Sequence, residues 1–248
     1  MVEAIDIILA IASFGPAIGL MYFTLRDYTH PRVEKPFFDD RKVFALLTLG
    51  IVIGMIFFFV DTVMRAAIAI ESILLIAVAI PLLQNLIKLS VLNWPRFQRR
   101  VDTAFYGLAF GSGIASTYAF SQMEYAVRVP GQFGFVSVNA LSISIIVMLG
   151  VQSVLIQTST AAMIGVGCTR GEQWAYFANA TMYALVYSLL MYGSAFAAKY
   201  LGEIMALAII LSAWAVCALS YLRIHRIDYP KLIVDAKRGL KKPKKKTL

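Results

Sequence analysis

The chain has 248 residues, of which 60% are hydrophobic and only 15% are charged, and a soluble domain of this size does not need so much apolar material. The net charge of +9 would suit a nucleic-acid-binding protein, but the basic residues lie beside apolar segments, where orientation and anionic lipid explain them. Long apolar runs that do not alternate exclude a β-barrel. We therefore expect an all-α integral membrane protein of the cell membrane, in contact with lipid and not with nucleic acid.

Apolar segments of about 20 residues, each long enough to cross a bilayer as a helix, predict a bundle of seven transmembrane helices. The first begins with Glu3 and Asp6 and has no basic leader, so we expect a retained helix and not a cleaved signal peptide. Residues 1–222 form the predicted seven-helix domain, and residues 223–248 form a basic tail that we expect to be disordered. The predicted spans cover residues 4–25, 43–60, 66–92, 103–121, 136–166, 174–196 and 204–222.

The basic residues are distributed unevenly between the two sides of these spans. The connections and tail on one side hold 19 lysine and arginine residues, whereas the opposite connections hold 3. Because positive residues stay on the cytoplasmic side, this asymmetry predicts an outside N-terminus and a cytoplasmic C-terminus. Asp61 and Arg65, four residues apart at the outer end of the second span, are predicted to pair across one helical turn.

Four predicted spans carry a polar or small residue at one depth. At about 1.5 Å of rise per residue, Gln84, Asn85, Gln157 and Tyr183 lie ~13 to ~16 Å from the cytoplasmic ends of their spans, and Gly111 stands at a similar depth. Polar groups cost free energy in lipid unless they find partners. We therefore expect these side chains to form a structural polar cluster that ties spans 3, 5 and 6 together.

Small residues recur at four-residue spacing in three of the predicted spans. Such faces let helix backbones approach closely, either within one chain or against a partner. The candidate helix-packing glycines are Gly15 and Gly19, Gly50 and Gly54, and Gly107 and Gly111.

The residue types at this depth do not indicate catalysis. Glutamine, asparagine and tyrosine are poor zinc ligands, and His30 and His225 lie in cytoplasmic connections. Cys168 and Cys217 show no paired ligand pattern and are expected to be core residues. Lys88 is close enough to the interface to extend into it as a flanking charge, which leaves no base for a serine nucleophile. We expect no catalytic residues, no metal and no cofactor.

Three segments resemble a known superfamily. SFGPAIGLMYFTLRD, PLLQNLIKL and DTAFYGLAFGSGIA are similar to segments of the PrsW-like intramembrane metalloproteases, which belong with the CAAX-protease-like enzymes. The order of FGPA, LLQ and GLAFG, together with the spacing from Cys168 to Trp174, more closely resembles the scaffold subunit of γ-secretase, the anterior-pharynx-defective family. The likeness covers roughly residues 10 to 195 and implies seven spans with the same orientation.

The resemblance also implies what this chain has lost. Gln84 and Asn85 stand where the proteases carry a Glu-Glu pair, and Gln157 and Tyr183 stand where the family carries two histidines. The chain thus resembles a catalytically degenerate member, a pseudoprotease whose former active-site layer is an uncharged hydrogen-bonding cluster.

Three functions remain open from the sequence. The first is a non-catalytic intramembrane scaffold that binds and stabilises another integral membrane protein, with a presenilin-like intramembrane aspartyl protease as the candidate that the resemblance implies. The second is a divergent membrane hydrolase that has recruited Glu71 or Asp102. The third is a lipid or small-molecule binding or transport protein that uses the polar layer as a cavity.

Overall fold

The computed structural model describes residues 4–29, 37–67, 73–128 and 140–241. Within these ranges the secondary structure is helical and contains no strand, which confirms the predicted all-α class. Arg26–Tyr28 form one 3-10 turn, and Ile224–Asp228 form a π-helical stretch. The α-helices are α1 Ala4–Leu25, α2 Asp40–Ala67, α3 Ile73–Leu92, α4 Asp102–Arg128, α5 Ala140–Arg170, α6 Gln173–Tyr200, α7 Glu203–Arg223 and α8 Tyr229–Lys241.

Five segments of the described chain are long and apolar enough to cross a membrane, and the chain is therefore an integral membrane protein. They are Ile5–Tyr28, Asp40–Met64, Leu74–Leu92, Ile143–Arg170 and Ile204–Lys237. The segments belong to α1, α2, α3, α5 and α7, the last continuing into α8. Helices α4 and α6 are also longer than a bilayer requires, but small and polar residues lower their mean hydropathy.

Helix α4 forms the centre of the bundle. Every residue from position 103 to position 119 is buried, because α1, α2 and α5 pack around it. Its sequence GLAFGSGIAS supplies the small residues that such close approach requires. The polar residues between positions 103 and 119 therefore face protein and not lipid.

Contacts between the helices establish their relative directions. Helices α4 and α5 are antiparallel, because the backbone N–H of Arg99, just before α4, donates to Cys168 near the end of α5 across 3.0 Å, and Met123 near the end of α4 lies against Gly150. Helices α5 and α6 are antiparallel as well, with Gly167 against Tyr176 at the connected ends. Helices α2 and α4 run parallel.

Two of the three predicted glycine pairs pack helices of this chain together. A Cβ atom built on Gly50 or Gly54 would collide with Phe110 O or Thr117 Oγ1 of α4, and one built on Gly107 or Gly111 would lie 2.6 Å from Ala161 O or Ala161 Cβ of α5. The same construction on the remaining pair, Gly15 and Gly19, meets no atom of the described residues within 4 Å. The sequence reasoning missed their partners Gly113 of α4 and Gly165 of α5.

The start of the tail is ordered, contrary to the expectation of disorder. Helix α7 continues through the π-helical stretch into α8, and Tyr229 is fully buried. Its ring stacks on Phe105 with 5.3 Å between ring centroids, and its hydroxyl donates to Ala104 O across 3.1 Å. Aromatic contact and a satisfied hydroxyl fix α8 to the start of α4. Residues 242–248 lie outside the described chain.

Candidate functional site: a buried lysine cluster and its cavity

Lys88 is buried in the bundle and does not extend to the interface. It is 1% exposed, and its ammonium donates to Gln157 Oε1, to Thr160 Oγ1 across 2.8 Å and to Asn85 Oδ1 across 3.2 Å. The expectation of a flanking, interfacial charge is therefore wrong. Three acceptors converge on the nitrogen and hold the side chain inside the bundle.

The orientation of each neighbouring group follows from this ammonium. The Thr160 hydroxyl donates to Ile156 O across 2.8 Å, so the same oxygen accepts from Lys88. Gln157 turns Oε1 towards Lys88 and donates from Nε2 to Gln84 Oε1 across 2.8 Å. Three acceptor oxygens thus lie within hydrogen-bonding distance of the nitrogen, as many as an ammonium has hydrogens to donate.

Helix α6 joins the cluster through a threonine. Asn85 Nδ2 donates to Thr181 Oγ1 across 3.4 Å, which completes a network between α3, α5 and α6. We refer to these side chains together as the Lys88 cluster: Gln84, Asn85, Lys88, Gln157, Thr160 and Thr181.

The pattern of α3 explains why its three polar residues meet. Gln84 and Lys88 are four residues apart and Asn85 and Lys88 are three apart, so all three share one helix face. The opposite face carries exposed leucines and faces lipid: Leu82, Leu83 and Leu86. Pro81 lies inside α3, where it removes one backbone hydrogen bond next to the cluster.

The structure brings together three of the predicted polar residues, Gln84, Asn85 and Gln157, and separates Tyr183 from them. Tyr183 is half-buried, and its ring faces the Arg223 guanidinium at 6.0 Å. Gly111 lies beside the cluster, since a Cβ atom there would be 2.9 Å from Gln157 O.

Sequence reasoning missed Thr160 and Thr181. Both are buried. The available signal was the spacing of Gln157 and Thr160, three residues apart and hence on one face of α5.

A cavity of about 110 Å³ borders the Lys88 cluster. Helices α3, α4, α5 and α6 line it, and it extends along α5 from Thr160 and Gln157 to Ile146, about 16 Å from Gln157 along the helix axis. Gln84 also borders it and is 6% exposed, and its Nε2 has no hydrogen-bond partner in the described chain. The cavity therefore has a polar end at the cluster and mostly apolar walls beyond it, with polar groups there from Tyr118, Gln122, Tyr187, Ser188 and Tyr192.

Asp61 is buried near the other end of this cavity. It is 3% exposed and accepts hydrogen bonds from Tyr118 across 3.1 Å and from Tyr192 across 3.3 Å. Both tyrosines line the cavity. The predicted Asp61–Arg65 pair stays a prediction, because the side chain of Arg65 lies outside the described part of the structure.

The donors of the cluster are not those of a zinc site. Amide oxygens, a hydroxyl and an ammonium replace the histidine, cysteine and carboxylate ligands that zinc prefers. Among the described residues, no group of three or more such ligands could hold a metal ion. Asp102, a candidate of the hydrolase alternative, pairs with Arg100 across 2.8 Å at the start of α4, and Glu71 lies outside the described residues.

Fold and site together define an all-helical integral membrane protein with a buried, hydrogen-bonded lysine. No protein-family model matches the chain, and neither the curated proteins nor the solved structures contain a significant match. The resemblance to the γ-secretase scaffold family and to the PrsW-like proteases therefore stays a prediction from the sequence.

Proposed function

We propose that this chain is a non-catalytic intramembrane scaffold that binds and stabilises another integral membrane protein. The observation that carries the proposal is the exposed glycine face of α1. Within the described part of the chain, no atom lies within 4 Å of a Cβ added to Gly15 or Gly19, although glycine costs about 1 kcal/mol relative to alanine inside a helix. A transmembrane helix of a partner protein that packs on this face would explain the glycines there.

The neighbours of these glycines support a helix-docking face. Ile11, Ile18 and Tyr22 are 67%, 49% and 62% exposed, and they lie four, three and seven residues from Gly15 along one stripe of α1. Small residues flanked by large apolar ones form a groove with ridges, the shape that a second transmembrane helix fits. The other glycine pairs are already occupied by α4 and α5.

The Lys88 cluster supports a scaffold over a hydrolase. The Lys88 ammonium donates to three acceptors within the chain. Gln157 accepts from Lys88 with its oxygen and donates to Gln84 with its nitrogen. Such a network holds α3, α5 and α6 in one arrangement. The resemblance adds the chemistry of the partner, which we propose to be an intramembrane aspartyl protease of the presenilin type.

The proposal includes seven transmembrane helices with an outside N-terminus and a cytoplasmic C-terminus. The antiparallel packing of α4 and α6 against α5 supports two further spans beyond the five apolar segments, and the lysine and arginine asymmetry supports the orientation. Cysteines introduced at exposed Leu201 and Trp94 test it with an impermeant maleimide on intact cells. Labelling of the Leu201→Cys protein alone is expected, and labelling of the Trp94→Cys protein alone contradicts the orientation.

Affinity purification in mild detergent from native membranes tests the scaffold role. The tagged wild-type chain is expected to bring down a stoichiometric membrane protein, and Gly15→Leu/Gly19→Leu is expected to lose it. Ala208→Leu, on an exposed part of α7, is the matched control and should retain it. A wild-type chain that purifies alone, or a partner that the double variant retains, contradicts the proposal.

A further inference from the structure

The cavity beside the Lys88 cluster has the features of a ligand site that the scaffold role does not use. Its volume of about 110 Å³ is comparable to the cavity of about 150 Å³ that admits benzene in an engineered protein core. The cavity is much larger than one water requires, and it combines a polar end with mostly apolar walls. Binding pockets for small molecules share this composition.

Among the described residues, no carboxylate contacts the Lys88 nitrogen at the polar end. Every acceptor of the Lys88 ammonium is neutral, since Gln157 and Asn85 contribute amide oxygens and Thr160 a hydroxyl. Two of these acceptors, Gln157 and Thr160, also border the cavity. An anion in the cavity would thus be separated from the ammonium by one layer of side chains, in surroundings where charges interact strongly.

The hydrogen bonds that link Lys88 to Gln84 determine which atom of Gln84 is left for a ligand at the cavity wall. The Lys88 nitrogen donates to Gln157 Oε1, so Gln157 has its Nε2 left to donate. Gln157 Nε2 donates to Gln84, which accepts with Oε1. The remaining group of Gln84 is its NH₂, whose nitrogen is buried without a partner in the described chain. A buried donor without a partner carries an uncompensated desolvation cost, which a ligand acceptor would remove.

The apolar walls determine the rest of the ligand. Ile80 and Pro81 of α3, Met123 of α4 and Ile146 of α5 border the cavity beyond Gln84. Tyr118 and Tyr192 also border this part of the cavity, but their hydroxyls donate to Asp61. A ligand that meets Gln84 with an anionic head is therefore expected to be apolar at its other end.

We propose that this cavity binds a small monocarboxylate with an apolar tail, its carboxylate accepting from Gln84 Nε2 beside the Lys88 ammonium. The site does not depend on the scaffold role, because it lies between α3, α4, α5 and α6, whereas the proposed docking face lies on α1. Free organic acids and membrane-derived fatty acids share the chemistry that it recognises.

Equilibrium dialysis of the full-length chain in a neutral maltoside detergent tests the proposal, with radiolabelled hexanoate, dodecanoate and hexanol as probes. We expect saturable binding of a carboxylate, at least about tenfold tighter than binding of hexanol. Tighter binding of hexanoate than of dodecanoate identifies free acids as the source, and the reverse order identifies fatty acids. Failure of both acids to saturate, or equal binding of hexanol, overturns the proposal.

Three variants locate the binding. Ala184 lines the cavity without belonging to the cluster, so Ala184→Leu is expected to abolish carboxylate binding by filling space, while Ala208→Leu on the exposed face of α7 leaves it unchanged. Lys88→Gln is expected to weaken carboxylate binding about tenfold and to leave hexanol binding unaltered. If Ala184→Leu binds like the wild type, the site lies elsewhere and the proposal fails, whether or not the lysine variant folds.

Discussion

Gln157 donates from Nε2 to Oε1 of Gln84 across 2.8 Å and 73 residues of sequence. The bond joins α5 to α3, but the two glutamines differ in the further hydrogen bonds that they make. Gln157 also accepts from the buried Lys88 ammonium, whereas Gln84 makes no other hydrogen bond among the described residues. The two glutamines should therefore respond differently to the same substitution.

We predict that Gln157→Leu destabilises the fold more than Gln84→Leu. Loss of Gln157 deprives a buried charge of an acceptor, at about 3 kcal/mol, whereas loss of Gln84 leaves one neutral donor unpaired, at about 1 kcal/mol. The free energy of unfolding in mixed micelles measures both. Ser90→Leu, on the exposed face of α3, is the control and should change little. Unchanged thermal stability of the Gln84→Leu/Gln157→Leu double variant would show that the cluster does not tie the helices together.

A second prediction concerns the charge itself. In the Gln157→Leu background, Lys88→Met should recover about 1 to 2 kcal/mol, because removal of an incompletely solvated buried charge offsets the lost acceptor. The coupling is measured as the non-additivity of the two single variants. Lys231→Met, at an exposed position of α8, should show additive behaviour with Gln157→Leu. Additivity of Lys88→Met would mean that the ammonium does not depend on Gln157.

A third prediction separates the glycine pairs. Gly50→Ala places a methyl group against the backbone oxygen of Phe110, which α4 can relieve only by moving, and we expect a loss of about 2 kcal/mol or more. Gly15→Ala meets open space and should leave stability unchanged or raise it, because alanine favours the helix. Thermal unfolding in detergent distinguishes them. Equal losses at both positions would contradict the packing described for α2 and α4.

The fourth prediction addresses the attachment of α8. Tyr229→Leu removes the stacking on Phe105 and the hydrogen bond to Ala104 O, so α8 should open more often while the membrane helices remain folded. Trypsin cleavage at Lys231 and Lys237 should accelerate about tenfold or more, since each 1.4 kcal/mol of lost local stability is a factor of ten. Val234→Ala, at an exposed position, is the control. Unchanged cleavage would mean that Tyr229 does not hold α8.

The depth of the polar residues was predictable from the sequence, but their direction around each helix was not. Helical rise is fixed, so counting residues placed Gln84, Asn85 and Gln157 at one level. Rotation depends on which neighbour a helix packs against. Thr181 and Tyr183 differ by two residues, which is about 200° around α6, and only the first reaches Asn85.

The behaviour of Lys88 required the structure for a related reason. A lysine near a span end can extend to water at little cost, so its sequence position favoured the interface. Its burial depends on three acceptors, one from α3 and two from α5. The sequence of α3 does not indicate that Gln157 and Thr160 of α5 lie beside it. The glycine spacings likewise predicted close packing without saying whether α4, α5 or a different protein would fill each groove.

The burial of α4 has a consequence for how the protein is made. Residues 103–119 are too polar and too rich in small side chains to gain much from lipid alone. In the proposed topology, this segment enters the bilayer before α5 has been synthesised, so only α1, α2 and α3 are present to receive it. Gly50 and Gly54 of α2 provide the first surface that fits it. Substitutions at these glycines should therefore lower the yield of inserted chain during biosynthesis.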